Sequence, residues 1–397
     1  MECLNDQARS ARRGPLSGLR VVEMASIGPG PFAAMVLADL GATVIRIDRP
    51  GGAYERAVPD LGPDPMARGR ANLGVDLKQP ESVEVCLRIV ERADALIEGY
   101  RPGVMERLGL GPDVCLKRNP RLAYGRVTGW GQTGPLAQAA GHDINYLALS
   151  GALATIGPRE GPPTPPLNVV GDFGGGGMLL AVGLLAAIHA ARTSGRGQVV
   201  DAAVTDGAAL LMTMIYGWHN AGYWRDSRGA NSLDGGCYYY GTYATADDQH
   251  VAVGALEPRF YSEFARRAGL EGGVLQEQQS AREVWPQMRE QLAGEMRKHS
   301  RAEWCDRLEG SDACFAPVLS LAEAPKHPHN VARRTFVDIG GSMAPAPAPR
   351  FGGTPCDIPQ PPLPPGADTE RVLRELQFSP DEIRDLFARN VIFSSAS

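Results

Sequence analysis

The sequence predicts an α/β protein: a doubly wound parallel sheet in the first half of the chain, followed by a smaller α+β domain. Three observations carry this: a βαβ unit at residues 19 to 48, repetition of its strand and helix alternation as far as residue 130, and mainly helical patterns from 259 to 310. "LRVVEM" (19–24) is a short β-branched run closed by "ASIGPGP", which fits a buried parallel strand. "FAAMVLADL" (32–40) has helical spacing, Gly41 stops it, and "TVIRID" (43–48) returns as the second strand. "NLGVDL" (72–77), the helix "PESVEVCLRIVERA" (80–93), "ALIEGY" (95–100) and "RLAYGRVTGW" (121–130) continue the alternation.

Further along, "GGGGMLLAVGLLAAIHAAR" (174–192) opens on four glycines and runs on as an almost wholly apolar helix, expected in the core with His189 a satisfied buried residue. Residues 238–253 read as a β-hairpin around "ADDQ". The proline-rich stretch 344–366 cannot hold regular helix and is expected to run extended over the surface. "SPDE" (379–382) supplies an N-cap serine, a proline at the first helical position and a glutamate at the third, so a last helix starts there. Residues 1–14 are expected to form a disordered tail.

Composition narrows the function. In 397 residues, 40 Lys and Arg stand against 45 Asp and Glu, a formal charge of -5 without charged runs, so no nucleic-acid footprint is visible and a small-molecule partner is expected. The seven cysteines are scattered without a CxxC pair, which reads as reduced thiols and not as a disulfide framework or a zinc site. "HPH" (327–329) is a poor chelate, so no metal is expected. No apolar run reaches the ~20 residues that span a bilayer, and the N-terminus carries no secretion signal. The expectation is a cytoplasmic enzyme without a membrane anchor.

Several short stretches carry chemistry. "GPGPFA" (28–33), with Asp48 ending the next strand, imitates a dinucleotide fingerprint, but Pro29 and Pro31 remove two N–H groups from the loop, so a tight turn without NAD is expected. Arg49, Arg68, Arg70, Arg101 and Arg107 stand at or soon after strand ends, where open α/β sheets bind ligands, and guanidinium groups there suit a phosphorylated ligand. In "GHDINY" (141–146), His142 is a proton-moving imidazole or an ordinary partly buried one, with Asp143 or Asn145 capping a helix. Asp172 in "GDFGGGG" (171–177) is likewise an N-cap or a functional carboxyl at a glycine-rich helix start that favours anions. Glu257 in "AVGALEP" is an exposed strand-end acid unless the fold brings it to His142, whose tautomer it would then fix. Residue patterns alone leave these alternatives open.

Taken together, "PLSGLRVVEMASIGPGPFAAMVLADLGATVIRIDRP", "VDLK", "ADALIEGYRPGVMERLGLG", "TGWGQTGP", "GHDINYLALSGAL", "PPLNVVGDFGGGGMLL", "GQVVDAAVTDGAALL", "RGANSLDGG" and "VAVGALEP" resemble the class III CoA-transferase superfamily, and within it the branch that racemises 2-methylacyl-CoA thioesters. The likeness runs from about residue 15 to 353. It implies an acyl-CoA substrate, no separate cofactor, and an interlocked homodimer. It also implies a Rossmann-like large domain (15–215 with 330–397) around a small α+β domain and its linkers (216–329). "ARGRANLGVDL" departs from the family in carrying fewer basic residues.

Residue by residue, Asp172 falls on the aspartate that the transferases use as a nucleophile, so it does not choose between the two activities. His142 falls on the histidine that marks the racemases. Glu257 corresponds to the acid that supports this histidine, while Arg49, Val75, Arg101, Arg107 and Tyr146 fall on CoA-contacting positions. The implied chemistry is inversion of an α-carbon by 1,1-proton transfer through an enolate. His142, with Asp143 and Glu257, would serve one face, and Asp172, supported by Tyr146, the other; the glycine run at a helix start would stabilise the enolate oxygen. The alternative is a transferase that moves CoA between carboxylic acids through Asp172.

Overall fold

The structure is a computed structural model that describes residues 12–51, 64–270 and 279–395. Packing divides the chain into two units, one formed by residues 1–150, 167–211 and 334–397, the other by 151–166 and 212–333. Residues 151–166, read from sequence as part of the large domain, thus pack with the second unit.

The first unit is built on six parallel strands: β1 (Arg20–Met24), β2 (Thr43–Asp48), β3 (Ala71–Val75), β4 (Ala95–Glu98), β5 (Ala123–Thr128) and β6 (Gln198–Ala203). Their spatial order is β3-β2-β1-β4-β5-β6, so the winding reverses between β1 and β4. A crevice opens at the carboxyl ends of two strands that part in this way. Successive side chains alternate between the two faces of the sheet. Val21, Val44 and Ile97 meet the helices Pro29–Asp39 and Leu179–Ser194, whereas Val22, Ile47 and Leu96 meet the helix Ser82–Val90 and residues from the C-terminal end of the chain. In β5, Gly125 lets Leu180 and Leu184 close in: an added Cβ would stand 2.9 Å from each.

In the second unit, β7 (Tyr240–Ala244), β8 (His250–Gly254) and β9 (Phe315–Pro317) form an antiparallel sheet. Its core is aromatic, with Tyr238, Tyr261, Phe264, Trp285 and Trp304 buried. The indole N–H groups stay satisfied, Trp304 donating to the Met296 carbonyl at 2.8 Å and Trp285 to that of Gln279 at 2.9 Å. Back in the first unit, β10 (Phe336–Ile339) and β11 (Ser342–Pro345) form a hairpin. β12 (Ile392–Phe393) then adds an antiparallel edge to β3, with Ile392 opposite Val75.

The sequence-based elements hold in outline and differ in detail. The last helix, Pro380–Ala388, has the expected reciprocal cap, Ser379 N–H donating to Glu382 at 2.7 Å and Glu382 N–H to Ser379 Oγ at 3.2 Å. The expected tail is ordered at its end: Arg13 donates to the Asp357 carboxylate through its backbone N–H at 2.8 Å and its Nε at 2.9 Å, while residues 1–11 lie outside the described residues. His189, expected in the core, is exposed. The helix also begins before the glycine run. It opens as a π-helix, Val169–Met178, and continues as the α-helix Leu179–Ser194. Together they form the one helix among the described residues long and apolar enough to cross a membrane by length and composition. Leu180, Leu184, Ala187 and Ile188 on it are buried against the sheet.

Candidate active site

The carboxyl ends of β1, β4 and β5 open on a cavity of about 430 Å³, at the point where the strand order reverses. Gly28 and Pro29 line it from β1, Gly99 and Arg101 from β4, and Thr128, Gly129 and Trp130 from β5. Two further segments complete the lining: Gly141, His142 and Tyr146 from one, Asn168 and Asp172 from the other. The stretches that the sequence singles out, "GHDINY" and "GDFGGGG", therefore meet at one cavity.

His142 is the N-cap residue of the helix Asp143–Leu149. Its carbonyl accepts the Asn145 N–H at 2.8 Å, and its own N–H donates to Asn145 Oδ1 at 3.0 Å, so Asn145 performs the capping that the sequence left open. The imidazole remains exposed in its unit. Asp143 turns the other way and accepts the Asp172 N–H on Oδ1 at 2.6 Å, tying the histidine segment to the aspartate segment. Gly171 makes room for this contact, since a Cβ there would overlap Asp143 Oδ1. Tyr146 donates to the Gly141 carbonyl, and its ring meets Trp130 edge-on at 4.8 Å between centroids. The hydroxyl-bearing edge of the ring lies against Gly129, where no side chain would fit.

Asp172 sits in the π-helix, half-buried, with its carboxylate beside Gly28. Gly28 has φ +74°, and an added Cβ would stand 3.2 Å from Asp172 Oδ2, so both backbone and space call for glycine there. Burial pushes the Asp172 carboxyl up to about 6; the Asp143 charge adds to this, and the Asn168 amide and His142 oppose it. Burial also raises Asp143, against the backbone N–H groups of residues 172 and 171, and lifts the Tyr146 phenol to about 12. Sequence reasoning missed Asn168 and Trp130. The signal for Asn168 was present, an amide four residues ahead of Asp172, a spacing that brings side chains together at a helix start.

The glycines do not serve the purpose expected of them. Gly174 to Gly177 lie inside the π-helix, where backbone N–H groups are spent on its own ladder and cannot face an enolate oxygen. They are packing surfaces: a Cβ on Gly176 would stand 2.8 Å from Pro29, one on Gly177 2.8 Å from Phe32, and one on Gly175 2.7 Å from the Ala208 backbone.

Of the five arginines grouped by sequence, three stand just beyond the carboxyl ends of strands and two are buried in ion pairs. Arg101 lines the cavity and acts on the Tyr146 phenol, Arg49 acts on the cavity-lining Tyr100, and Arg107 is exposed on the helix that follows β4. Arg68 is buried against Asp39 and donates to the Pro345 carbonyl at 2.8 Å. Arg70 is buried against Glu23 at 2.6 Å and donates to the Pro31 and Met66 carbonyls. Both are structural cations, closed to a phosphate. Asp48, the acid of the dinucleotide-like pattern, likewise pairs with buried Arg46 at 2.9 Å. Val75 has no exposed side-chain surface and belongs to the core beneath β12, so its side chain is closed to CoA. Glu257 lies in the other unit as the N-cap residue of the helix Pro258–Ala268, exposed and without a side-chain cap bond. His327 pairs with Glu309 at 2.7 Å, and no cluster of three or more metal-ligating side chains occurs among the described residues.

Against known sequences, the profile of CoA-transferase family III matches residues 16–369. The chain belongs to CoA-transferase family III. This family member is 44% identical over 382 residues to the alpha-methylacyl-CoA racemase of Mus musculus, an alignment covering 96% of this chain and 98% of that protein. It is 43% identical to the Homo sapiens alpha-methylacyl-CoA racemase over 383 residues, with the same coverage of 96% and 98%. A succinyl-CoA--L-malate CoA-transferase alpha subunit of Chloroflexus aurantiacus is 31% identical over 406 residues, covering 95% of this chain and 92% of that one. Among solved structures, a CAIB/BAIF family protein from Brucella suis superposes with a TM-score of 0.80 at 22% identity, covering 92% of this chain and all of that one, which supports the fold.

Proposed function

We propose that this family III chain is an isomerase that inverts the α-carbon of 2-methylacyl-CoA thioesters. The observation that carries this reading is that an imidazole, His142, and a carboxyl raised to about 6, Asp172, line one cavity at the switch point of the sheet. Inversion requires one group to remove the α-proton while a conjugate acid returns a proton to the opposite face. A base works best when its pKa lies near the working pH, and a positioned one contributes about 10²- to 10⁴-fold. Burial, with the Asp143 charge, raises Asp172 in the direction this role needs. Its protonated form is within reach at neutral pH, whereas an ordinary surface aspartate would stay ionised and return no proton. High identity to two racemases points the same way.

In this mechanism His142 serves one face and Asp172 the other, with Asp143 joining their backbones. Arg101, Arg49 and Arg107 would bind the phosphates of CoA, and the acyl chain would lie in the apolar part of the cavity. The setting is acyl-chain metabolism in a reducing cytoplasm. The protein works as an interlocked homodimer.

Deuterium incorporation tests the reading. In deuterated water either enantiomer of a 2-methylacyl-CoA should gain deuterium at the α-carbon, and His142→Ala or Asp172→Asn should abolish racemisation while CoA still binds. A transferase would instead pass CoA to a labelled free acid, with Asp172 as nucleophile. Exchange of label without α-deuteration would replace the proposal with that activity.

A further inference from the structure

The opposite end of the sheet carries a second cavity, of about 530 Å³, lined by Thr43, Val44 and Ala71 at the starts of β2 and β3 and by residues of the C-terminal segment. Every carboxylate facing it already has a cation. Asp357 is held by Arg13 at 2.9 Å, and Glu375 by Arg371 at 2.7 Å. Two guanidinium groups facing the same space form no ion pair with a carboxylate of the described residues. Among the described residues Arg12 reaches carbonyl oxygens alone, of Gly69 at 3.3 Å and Asp357 at 3.4 Å, and its buried Nε has no hydrogen-bond partner there. Arg20, at the exposed start of β1, makes no ion pair among the described residues. Burial holds the Arg12 guanidinium below its ordinary value, although the Asp39 and Asp357 charges pull the other way. Among the lining residues the partly exposed Ile45 and Leu363 offer apolar surface, with Val44 and Val372 buried behind them.

We infer that this cavity is a binding site for a small amphiphilic anion, a carboxylate or phosphate head bound by Arg12 and Arg20 and an alkyl body lying on the apolar wall. Guanidinium groups bind both heads bidentately, and an anion there would supply the partner that Arg12 lacks. The site is separate from the cavity of His142 and Asp172 and shares no lining residue with it.

Isothermal titration of the full chain with octanoate and with octyl phosphate, each in the presence of saturating CoA, tests the inference. Binding of either probe should persist beside CoA, and Arg12→Gln should weaken it by about tenfold or more, the usual effect of losing a charge-assisted hydrogen bond. Arg20→Gln, a change at an exposed position that leaves the fold intact, should weaken it in the same direction, while racemisation stays at the parent rate in both variants. Binding that CoA displaces, binding that neither substitution weakens, or no binding by either probe at millimolar concentration would overturn the inference.

Discussion

Asp172 concentrates the electrostatics of the site at one residue. With its carboxyl near 6, the direction of turnover in which it accepts the proton should lose rate as pH falls through about 6. Asp143→Asn keeps an oxygen for the Asp172 N–H but removes a charge that raises Asp172, so that limb should move to lower pH; a pH–rate profile with an unmoved limb would refute the coupling. Stability should report the same group with the opposite value to the protein. The native carboxyl binds its proton more tightly than the unfolded one, whose ordinary value is 3.8, so folding carries a penalty above about 6 that fades between 6 and 3.8 and is gone below. Asp172→Asn should therefore raise Tm at neutral pH and leave it unchanged near pH 4, as thermal melts across that range would show. That His142, Asp172 and Tyr146 line one cavity agrees with the family resemblance that singled them out, whereas their residue patterns alone left each role open. The arginines were not legible in the chain, because a guanidinium at a strand end looks the same in sequence whether it faces a phosphate or, like Arg68, a buried aspartate 29 residues away.

At the scale of elements, the glycine run shows how a correct motif can carry the wrong physical meaning. Its residues read as a helix start open to anions, yet the helix begins at Val169, and Gly175 lies against the backbone of Gly207 and Ala208. A side chain at Gly175 or Gly207 would force the π-helix and the helix Val204–Leu211 apart. Gly207→Ala should cost about 1–3 kcal/mol, the usual penalty for overpacking, and lower the urea midpoint accordingly. Gly294→Ala is the contrasting case: it lies within the helix Trp285–Met296 with nothing within 4 Å of the new methyl, so it should gain roughly 0.5–1 kcal/mol from helix propensity. Equal effects of the two changes would mean that the close approach carries no cost. The strands β1 to β5 were readable because each is a compact apolar run between turn residues. β12 was not: two residues cannot display a period, and their pairing with β3 depends on the order of the whole sheet. The π-helix was hidden for a related reason, since its wider ladder is imposed by packing and leaves the apolar pattern unchanged.

For the molecule as a whole, the first unit exposes large apolar side chains at Leu149, Leu167, Val169, Val182, Leu210 and Leu211. Scattered single residues of this kind are ordinary, whereas these six stand on segments that pack against one another and make a face suited to an interface. A dimer that covers them should appear in sedimentation at micromolar concentration and resist dilution, and Val182→Asp with Leu210→Asp should push it toward monomer. A monomer in the parent protein would remove the assembly from the proposal. The sheet itself was legible as a class, whereas its division was not: nothing in residues 151–166 marks them as partners of a segment that begins at 212. One last consequence follows from β12 and the Pro380–Ala388 helix, which cover β3 and the core behind it. During synthesis the ribosome delivers the other strands of that sheet first and must then make the whole second unit before the covering pieces emerge. The nascent protein therefore carries an uncovered, aggregation-prone strand until residues 380–393 have been made, and it is in that interval that a chaperone would matter most to its yield.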